Sequence, residues 1–313
     1  MEQNIDSQLY RRRSSGACIA DGYRLYVGNF LKIFRSSWIA ALFYAISVSI
    51  VCKLYISQTP LFQIAGEPAG VGYVQFVMAY FALLLGAILL YSAASIVLFS
   101  YDTMSFNEHS ATEAITGPAR WYGKLDIKAL LLTVKMFLWM ALVLFAASAL
   151  VGGCLWLATT HLSHTAFLIL YLVSVLLITA LLIPLSFTCM KYLLTPKARF
   201  LSLLAQTYGV GMRHWGSLFV VGLVVGIVSW LFMMLIEMPA IILYVANLQS
   251  QVGVLQGDAA GMPDYMGTLT IVVFCVAGFI QAYVYLSTLF PFYYLFGSIE
   301  SQEKERNEIK KTL

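Results

Sequence analysis

Long apolar runs separated by short polar segments dominate the pattern of this 313-residue sequence. An α-helix rises about 1.5 Å per residue and therefore needs roughly 20 residues to cross about 30 Å of hydrocarbon. Each of the runs exceeds that length, and none shows the ~10-residue alternation that is typical of transmembrane strands. The pattern predicts an all-α, polytopic membrane protein with six transmembrane helices, at about residues 37–57, 73–100, 129–158, 165–190, 217–246 and 269–297.

Composition agrees with a membrane environment. Hydrophobic residues make up 60% of the chain and charged residues 11%, whereas an ordinary soluble domain has about 25% charged residues. The chain divides into a polar N-terminal segment (1–36), a six-helix transmembrane domain (37–298) and a polar tail (299–313). We expect the N-terminal segment to be retained, because no signal-peptide cleavage pattern follows the first apolar run. The tail places Glu300 and Lys304 one turn apart, which favours a helix that extends the sixth span into the cytoplasm.

Lysine and arginine lie almost entirely on one side of the predicted topology. Seventeen of the 19 basic residues fall in the N-terminal segment, the second and fourth loops and the tail, and the other three loops hold none. By the positive-inside rule, both termini are cytoplasmic, and we expect a bacterial inner (cytoplasmic) membrane protein. The net charge of +4 then indicates attraction to anionic lipid at the cytoplasmic face and no nucleic-acid partner.

Amphipathic segments precede the first and fifth spans. In residues 21–38 and 197–215, apolar and polar side chains separate to opposite faces at helical spacing, which predicts interfacial lead-in helices. The first apolar face comprises Tyr23, Val27, Phe30, Leu31 and Phe34, opposite Arg24, Gly28, Lys32 and Arg35. A weak threefold repeat of lead-in helix plus hairpin is one interpretation. The other is that any hairpin with positive cytoplasmic flanks shows this pattern.

Glu237 is a carboxylate inside the apolar run LFMMLIEMPAII, residues 231–242. An ionisable group in a membrane span needs a partner, a proton, water or a function. Lys53 lies at a similar predicted depth in the outer half of the first span, so the two are candidates for an intramembrane ion pair. The alternative is that Lys53 extends to the outer interface while Glu237 faces an outer water pocket.

Gln281 is the third candidate polar residue, near the middle of the sixth span, where it can form a hydrogen bond across helices. Such bonds are most often structural. Three prolines, Pro184, Pro239 and Pro291, lie inside predicted spans, and each removes a backbone donor and is expected to kink its helix. Pro239 alone, because it is beside Glu237, favours a functional interpretation.

The sequence contains no motif that is typical of an enzyme active site. Of the four histidines, His109 and His214 fall on the predicted cytoplasmic side and His161 and His164 on the outer side, so they cannot converge on one metal. No nucleophile motif, phosphate-binding glycine loop or dinucleotide fingerprint is present in a suitable context, and the five cysteines lack metal-ligand spacing. We therefore predict a non-enzymatic protein with no catalytic residue, cofactor or metal site.

The layout of spans and the C-terminal stretch FPFYYLFGSIESQEKER resemble uncharacterised six-helix integral membrane proteins of bacteria. They also resemble the membrane domain that accompanies some glycerophosphodiester phosphodiesterases. The phosphodiesterase domain itself is absent, so none of its catalytic residues is carried over. We expect a module that assists or carries a lipid-like or small amphipathic substrate. The alternative is a structural or assembly partner, as a homo-oligomer or within a membrane complex.

Overall fold

The computed structural model describes residues 9–65, 75, 77–91, 133–143, 164–194, 200–257, 263 and 265–312. These residues are helical almost throughout and form no strand, which confirms the all-α fold class. In chain order the helices are α1 (Ser15–Gly28), α2 (Phe30–Ala65), α3 (Val77–Tyr91), α4 (Thr133–Val143), α5 (His164–Leu182), α6 (Leu185–Leu194), α7 (Phe200–Arg213), α8 (Trp215–Leu255) and α9 (Tyr265–Thr312).

Among the described residues, four segments are long and apolar enough to cross a membrane: Phe30–Tyr55, Ile169–Leu194, Trp215–Val254 and Tyr265–Thr312. They coincide with the first, fourth, fifth and sixth predicted spans, and they indicate a membrane protein. Helices α3 and α4 are also apolar but shorter. They cover parts of the second and third predicted spans, whose other residues lie outside the described ranges, so the number six stays a prediction.

Helix α9 is the centre of the bundle and packs against α1, α2, α6 and α8. Its residues 293–299 are buried on every side, and Leu286, Phe290 and Ile299 are among the most completely buried large side chains. An apolar helix without a solvated face is typical of a protein core or a membrane interior. Here the neighbouring helices cover it, because the aromatic run FPFYYLF supplies packing surface in all directions.

Helices α1 and α2 follow α9 in the antiparallel direction. The backbone N–H of Arg13 donates to Ser298 Oγ (2.9 Å), the Tyr26 hydroxyl donates to the Tyr283 carbonyl (2.9 Å), and the Ser49 hydroxyl donates to the Ile271 carbonyl (2.8 Å). Gly22 meets Pro291 so closely that an added Cβ would lie 2.5 Å from the proline nitrogen. A glycine is therefore required where α1 crosses α9.

The predicted single lead-in helix over residues 21–38 is wrong. Helix α1 ends at Gly28 and α2 begins at Phe30, and the Asn29 side chain donates to the Leu25 carbonyl at 3.0 Å. Glycine and asparagine are weak helix formers, and the side-chain bond caps the end of α1. Cys18, Gly22, Leu25 and Tyr26 are buried in α1, whereas Val27 is 71% exposed, so the face that packs differs from the predicted one.

Helix α7 falls within the second predicted lead-in. Phe200 and Leu203 are buried while Ser202 and Gln206 are exposed, as the spacing predicts. Helix α7 packs against α6, where the hydroxyls of Thr188 and Thr207 share a hydrogen bond of 2.9 Å. Its placement at a membrane interface stays a prediction.

The three prolines have different surroundings. Pro239 and Pro291 lie inside the continuous helices α8 and α9. Pro184, in contrast, follows the end of α5 at Leu182 and precedes the start of α6 at Leu185, so this proline separates two helices and does more than kink one. Its carbonyl oxygen approaches α7, where a Cβ added at Gly211 would lie 2.8 Å away.

Helix α9 continues to Thr312, which confirms that the tail extends the sixth helix. Glu300 and Lys304, one turn apart in this helix, have other partners in the described structure: Glu300 accepts a hydrogen bond from Lys191, and the Lys304 ammonium lies 4.6 Å above the Tyr10 ring. An exposed i, i+4 pair contributes only about 0.2–0.5 kcal/mol, so partners from other parts of the chain displace it.

A network of ion pairs fixes this end of α9. Glu303 contacts Arg213 (2.9 Å), His214 Nε2 (3.1 Å) and Arg306 (3.5 Å). Arg13 pairs with Asp21 at 3.1 Å and lies 4.8 Å above the Tyr294 ring. We call this region the anchored end. It comprises residues 286–306 of α9, the ion pairs of Glu303 and Arg13, and helix α1, which packs on α9.

Candidate ligand cavity

A cavity of about 340 Å³ lies between α2, α8 and α9, with α3 at its edge. Each of the three long helices contributes four residues at positions i, i+3, i+4 and i+7, which is the spacing of one helical face. The lining residues are Val48, Val51, Cys52 and Tyr55 from α2, Glu237, Ala240, Ile241 and Tyr244 from α8, Phe274, Ala277, Gly278 and Gln281 from α9, and Tyr80 from α3. We call it the Glu237 cavity.

Small residues and one polar contact hold the walls of the cavity in place. A Cβ added at Gly278 would lie 3.2 Å from Ala45 Cα, so α2 and α9 touch through their backbones there. Towards the C-terminal end of α8, the Asn247 amide donates to Thr270 Oγ1 at 3.0 Å and ties α8 to α9. These contacts fix the helix separation, and the small side chains of Ala240 and Ala277 leave the space between them open.

Glu237 and Gln281 are brought together at the wall of this cavity. The Gln281 amide nitrogen donates to Glu237 Oε1 and to the Tyr285 hydroxyl, each at 3.3 Å. Both distances are at the long end for N–H···O bonds. The second carboxylate oxygen of Glu237 accepts no hydrogen bond from the residues that the structure describes. Gln281 therefore forms the predicted hydrogen bond across helices, and its partner is Glu237.

Lys53 does not join them. Its side chain is exposed, and no ion pair links it to Glu237 in the described part of the chain. The reason is rotational: successive residues of a helix are about 100° apart, so Cys52 faces the cavity and Lys53 turns away from it. An outer water pocket at Glu237 and the extension of Lys53 to the outer interface stay predictions.

Three tyrosines of the cavity were missed by the sequence analysis. The rings of Tyr55 and Tyr244 stack with centroids 6.4 Å apart and an interplanar angle of 23°, and Tyr80 lies at the edge from α3. Tyr244 lies seven residues after Glu237, about two turns further along the same face of α8. Projecting the α8 face that contains Glu237 would have found it, but no pattern in the sequence places Tyr55 and Tyr80 beside it.

A second cavity, of about 460 Å³, lies between α4, α5, α6 and α7. Its described lining is apolar except for Tyr208, whose hydroxyl donates to the Leu181 carbonyl at 3.0 Å. Specific ligand sites combine apolar walls with a few convergent polar groups. The Glu237 cavity meets that description and the second cavity does not.

The fold and this cavity define a helical membrane protein with a carboxylate and an amide at an internal, largely apolar space. No protein-family model, curated protein or solved structure matches the chain. The roles of the cavity residues therefore rest on their chemistry and geometry.

Proposed function

We propose that this chain is a six-span, non-enzymatic protein of the bacterial inner membrane that binds a lipid-like or small amphipathic molecule in the Glu237 cavity. One observation carries the proposal: the polar groups of Glu237 and Gln281 converge on a cavity that is otherwise lined by apolar and aromatic side chains. Such a space accommodates a molecule with an apolar body and one polar end.

The size and position of the cavity support this proposal. Its volume of about 340 Å³ is at the lower end of ligand pockets, which range from roughly 300 to 1,000 Å³. Tyr55 and Tyr80 border the cavity and are 52% and 53% exposed, and an opening between α2 and α3 would connect the cavity to the bilayer. A molecule dissolved in the bilayer would enter by this opening without crossing water.

Co-purified molecules provide the test, with two neighbouring substitutions on α8. Ile241 lines the cavity and Ile242 does not, although both are exposed. Native mass spectrometry of the protein released from dodecylmaltoside micelles should show a bound amphiphile for the wild type and for Ile242→Trp, but not for Ile241→Trp. If all three proteins carry the same molecules, or none, the cavity is not a binding site. The protein would then belong to the structural or assembly class.

The proposed topology rests on the distribution of basic residues, with both termini cytoplasmic. Gln256 and Asn307 are exposed near opposite ends of the bundle, so cysteines introduced there report the two sides. In intact cells, an impermeant maleimide should label Gln256→Cys and should label Asn307→Cys only after permeabilisation. The reverse pattern would overturn the orientation and the predicted contact of the basic face with anionic lipid.

A further inference from the structure

The Glu237 cavity contains a carboxyl group that has no basic partner among the residues that the structure describes. Within the described part of the chain, no lysine, arginine or histidine forms an ion pair with Glu237, and its single hydrogen bond comes from the neutral amide of Gln281. A carboxylate in a low-dielectric region is costly unless a nearby opposite charge compensates it. A bound cation would supply that charge at this position.

The aromatic lining of the cavity also favours a bound cation. Tyrosine rings present a negative face, which attracts ammonium groups within about 6 Å of the ring centroid. Tyr55, Tyr80 and Tyr244 all border the cavity, and its described lining contains no basic side chain. An anionic head group would meet the Glu237 carboxylate, and a neutral one would leave it uncompensated.

We infer that the Glu237 cavity recognises an amphipathic cation, with an ammonium head group beside Glu237 and the tyrosines and an apolar body against Val51, Ile241 and Phe274. This inference rests on the proposed function and names the ligand class of the same site. The volume of the cavity equals that of about ten water molecules in the liquid. It accommodates a head group with a short chain, or a head group with the first part of a longer chain.

Three small amphiphiles with one common chain test the inference: hexyltrimethylammonium, hexanol and hexanesulfonate. Their binding to the full-length protein in dodecylmaltoside is measured by saturation-transfer difference NMR. Wild-type protein should bind hexyltrimethylammonium about tenfold more tightly than hexanol, the effect of one favourable charge interaction, and should not bind hexanesulfonate. Glu237→Gln, which keeps the shape of the side chain, should reduce the preference for the ammonium over hexanol to the part that the tyrosine rings supply.

A second variant pair keeps the test independent of folding defects at Glu237. Tyr244→Leu removes the ring face, whereas Tyr244→Phe retains it, so the leucine variant should weaken ammonium binding more than the phenylalanine variant. Size-exclusion profiles and thermal midpoints in detergent identify any variant that has unfolded. Equal ammonium binding by the two Tyr244 variants would show that the ring does not contact the cation.

The outcomes separate this inference from the proposed function. If hexanol and hexyltrimethylammonium bind equally and both are excluded by Ile241→Trp but not by Ile242→Trp, the cavity binds amphiphiles and the cation inference is overturned. If no probe distinguishes Ile241→Trp from Ile242→Trp, amphiphile binding in the cavity fails, and the ligand class fails with it.

Discussion

Helix α9 contributes to both the anchored end and the Glu237 cavity. Its side chains are tightly packed at the anchored end, whereas they border open space at the cavity. At the anchored end, Glu303 has three basic neighbours and Phe290 is fully buried. At the cavity, the described residues give Glu237 one long hydrogen bond and leave about 340 Å³ unfilled. From this difference we expect the anchored end to contribute more to the stability of the bundle than the cavity does.

Packing at the two ends should differ most in its contribution to stability. Phe290→Ala removes a fully buried ring that packs against Tyr26 of α1, and we expect it to lower the free energy of unfolding by about 3–5 kcal/mol. Phe274→Ala removes a ring that already borders a cavity, so we expect about 1–2 kcal/mol. Unfolding in sodium dodecyl sulfate titrations measures both values. Equal losses would remove the contrast between the two ends.

The two carboxylates, Glu303 and Glu237, should differ less than the two rings do in their contribution to the free energy of unfolding. Glu303→Gln weakens contacts with Arg213, His214 and Arg306, and we expect a loss of about 1–2 kcal/mol, since Arg213 is partly exposed to solvent. Glu237→Gln removes no ion pair in the described structure and should change stability by less than about 0.5 kcal/mol. Thermal midpoints in detergent provide the comparison. A larger loss for Glu237→Gln would reveal a structural partner of Glu237 and argue against a ligand site.

The smallest expected effect concerns thiol chemistry. Burial raises the pKa of the Cys18 thiol to about 11, with the nearby Arg13 guanidinium offsetting part of the increase. At pH 8 only about one thiol in a thousand is then the reactive thiolate, and that fraction rises tenfold per pH unit up to the pKa. In single-cysteine variants, a small membrane-permeant maleimide should modify Cys52, which lines the cavity, faster than Cys18 at pH 8. Equal rates would mean that α1 separates readily from α9.

The sequence was sufficient for the helical class and for four membrane-length segments, because the bilayer itself dictates their length and polarity. It also singled out Glu237 and Gln281, since polar groups are rare in such segments. Depth along a span, however, leaves the direction of a side chain around the helix axis undetermined. For that reason Lys53 was considered as a partner while Cys52 and Tyr55, on the face that packs, were not. The break at Asn29 follows from the weak helix propensity of Gly28 and Asn29 and from the capping bond of the Asn29 side chain, which the spacing of apolar and polar positions does not reveal.

The contact of α1 with α9 also has a consequence for biosynthesis. Arg13 and Ser298, which bond to each other, are 285 residues apart in the chain. At a translation rate of about 5–20 residues per second, α1 emerges roughly ten seconds to a minute before α9 exists. During this interval Cys18, Leu25 and Tyr26 lack the surface that later covers them. Nascent chains interrupted before α9 would therefore expose this face of α1, the state in which we expect chaperones and membrane proteases to bind.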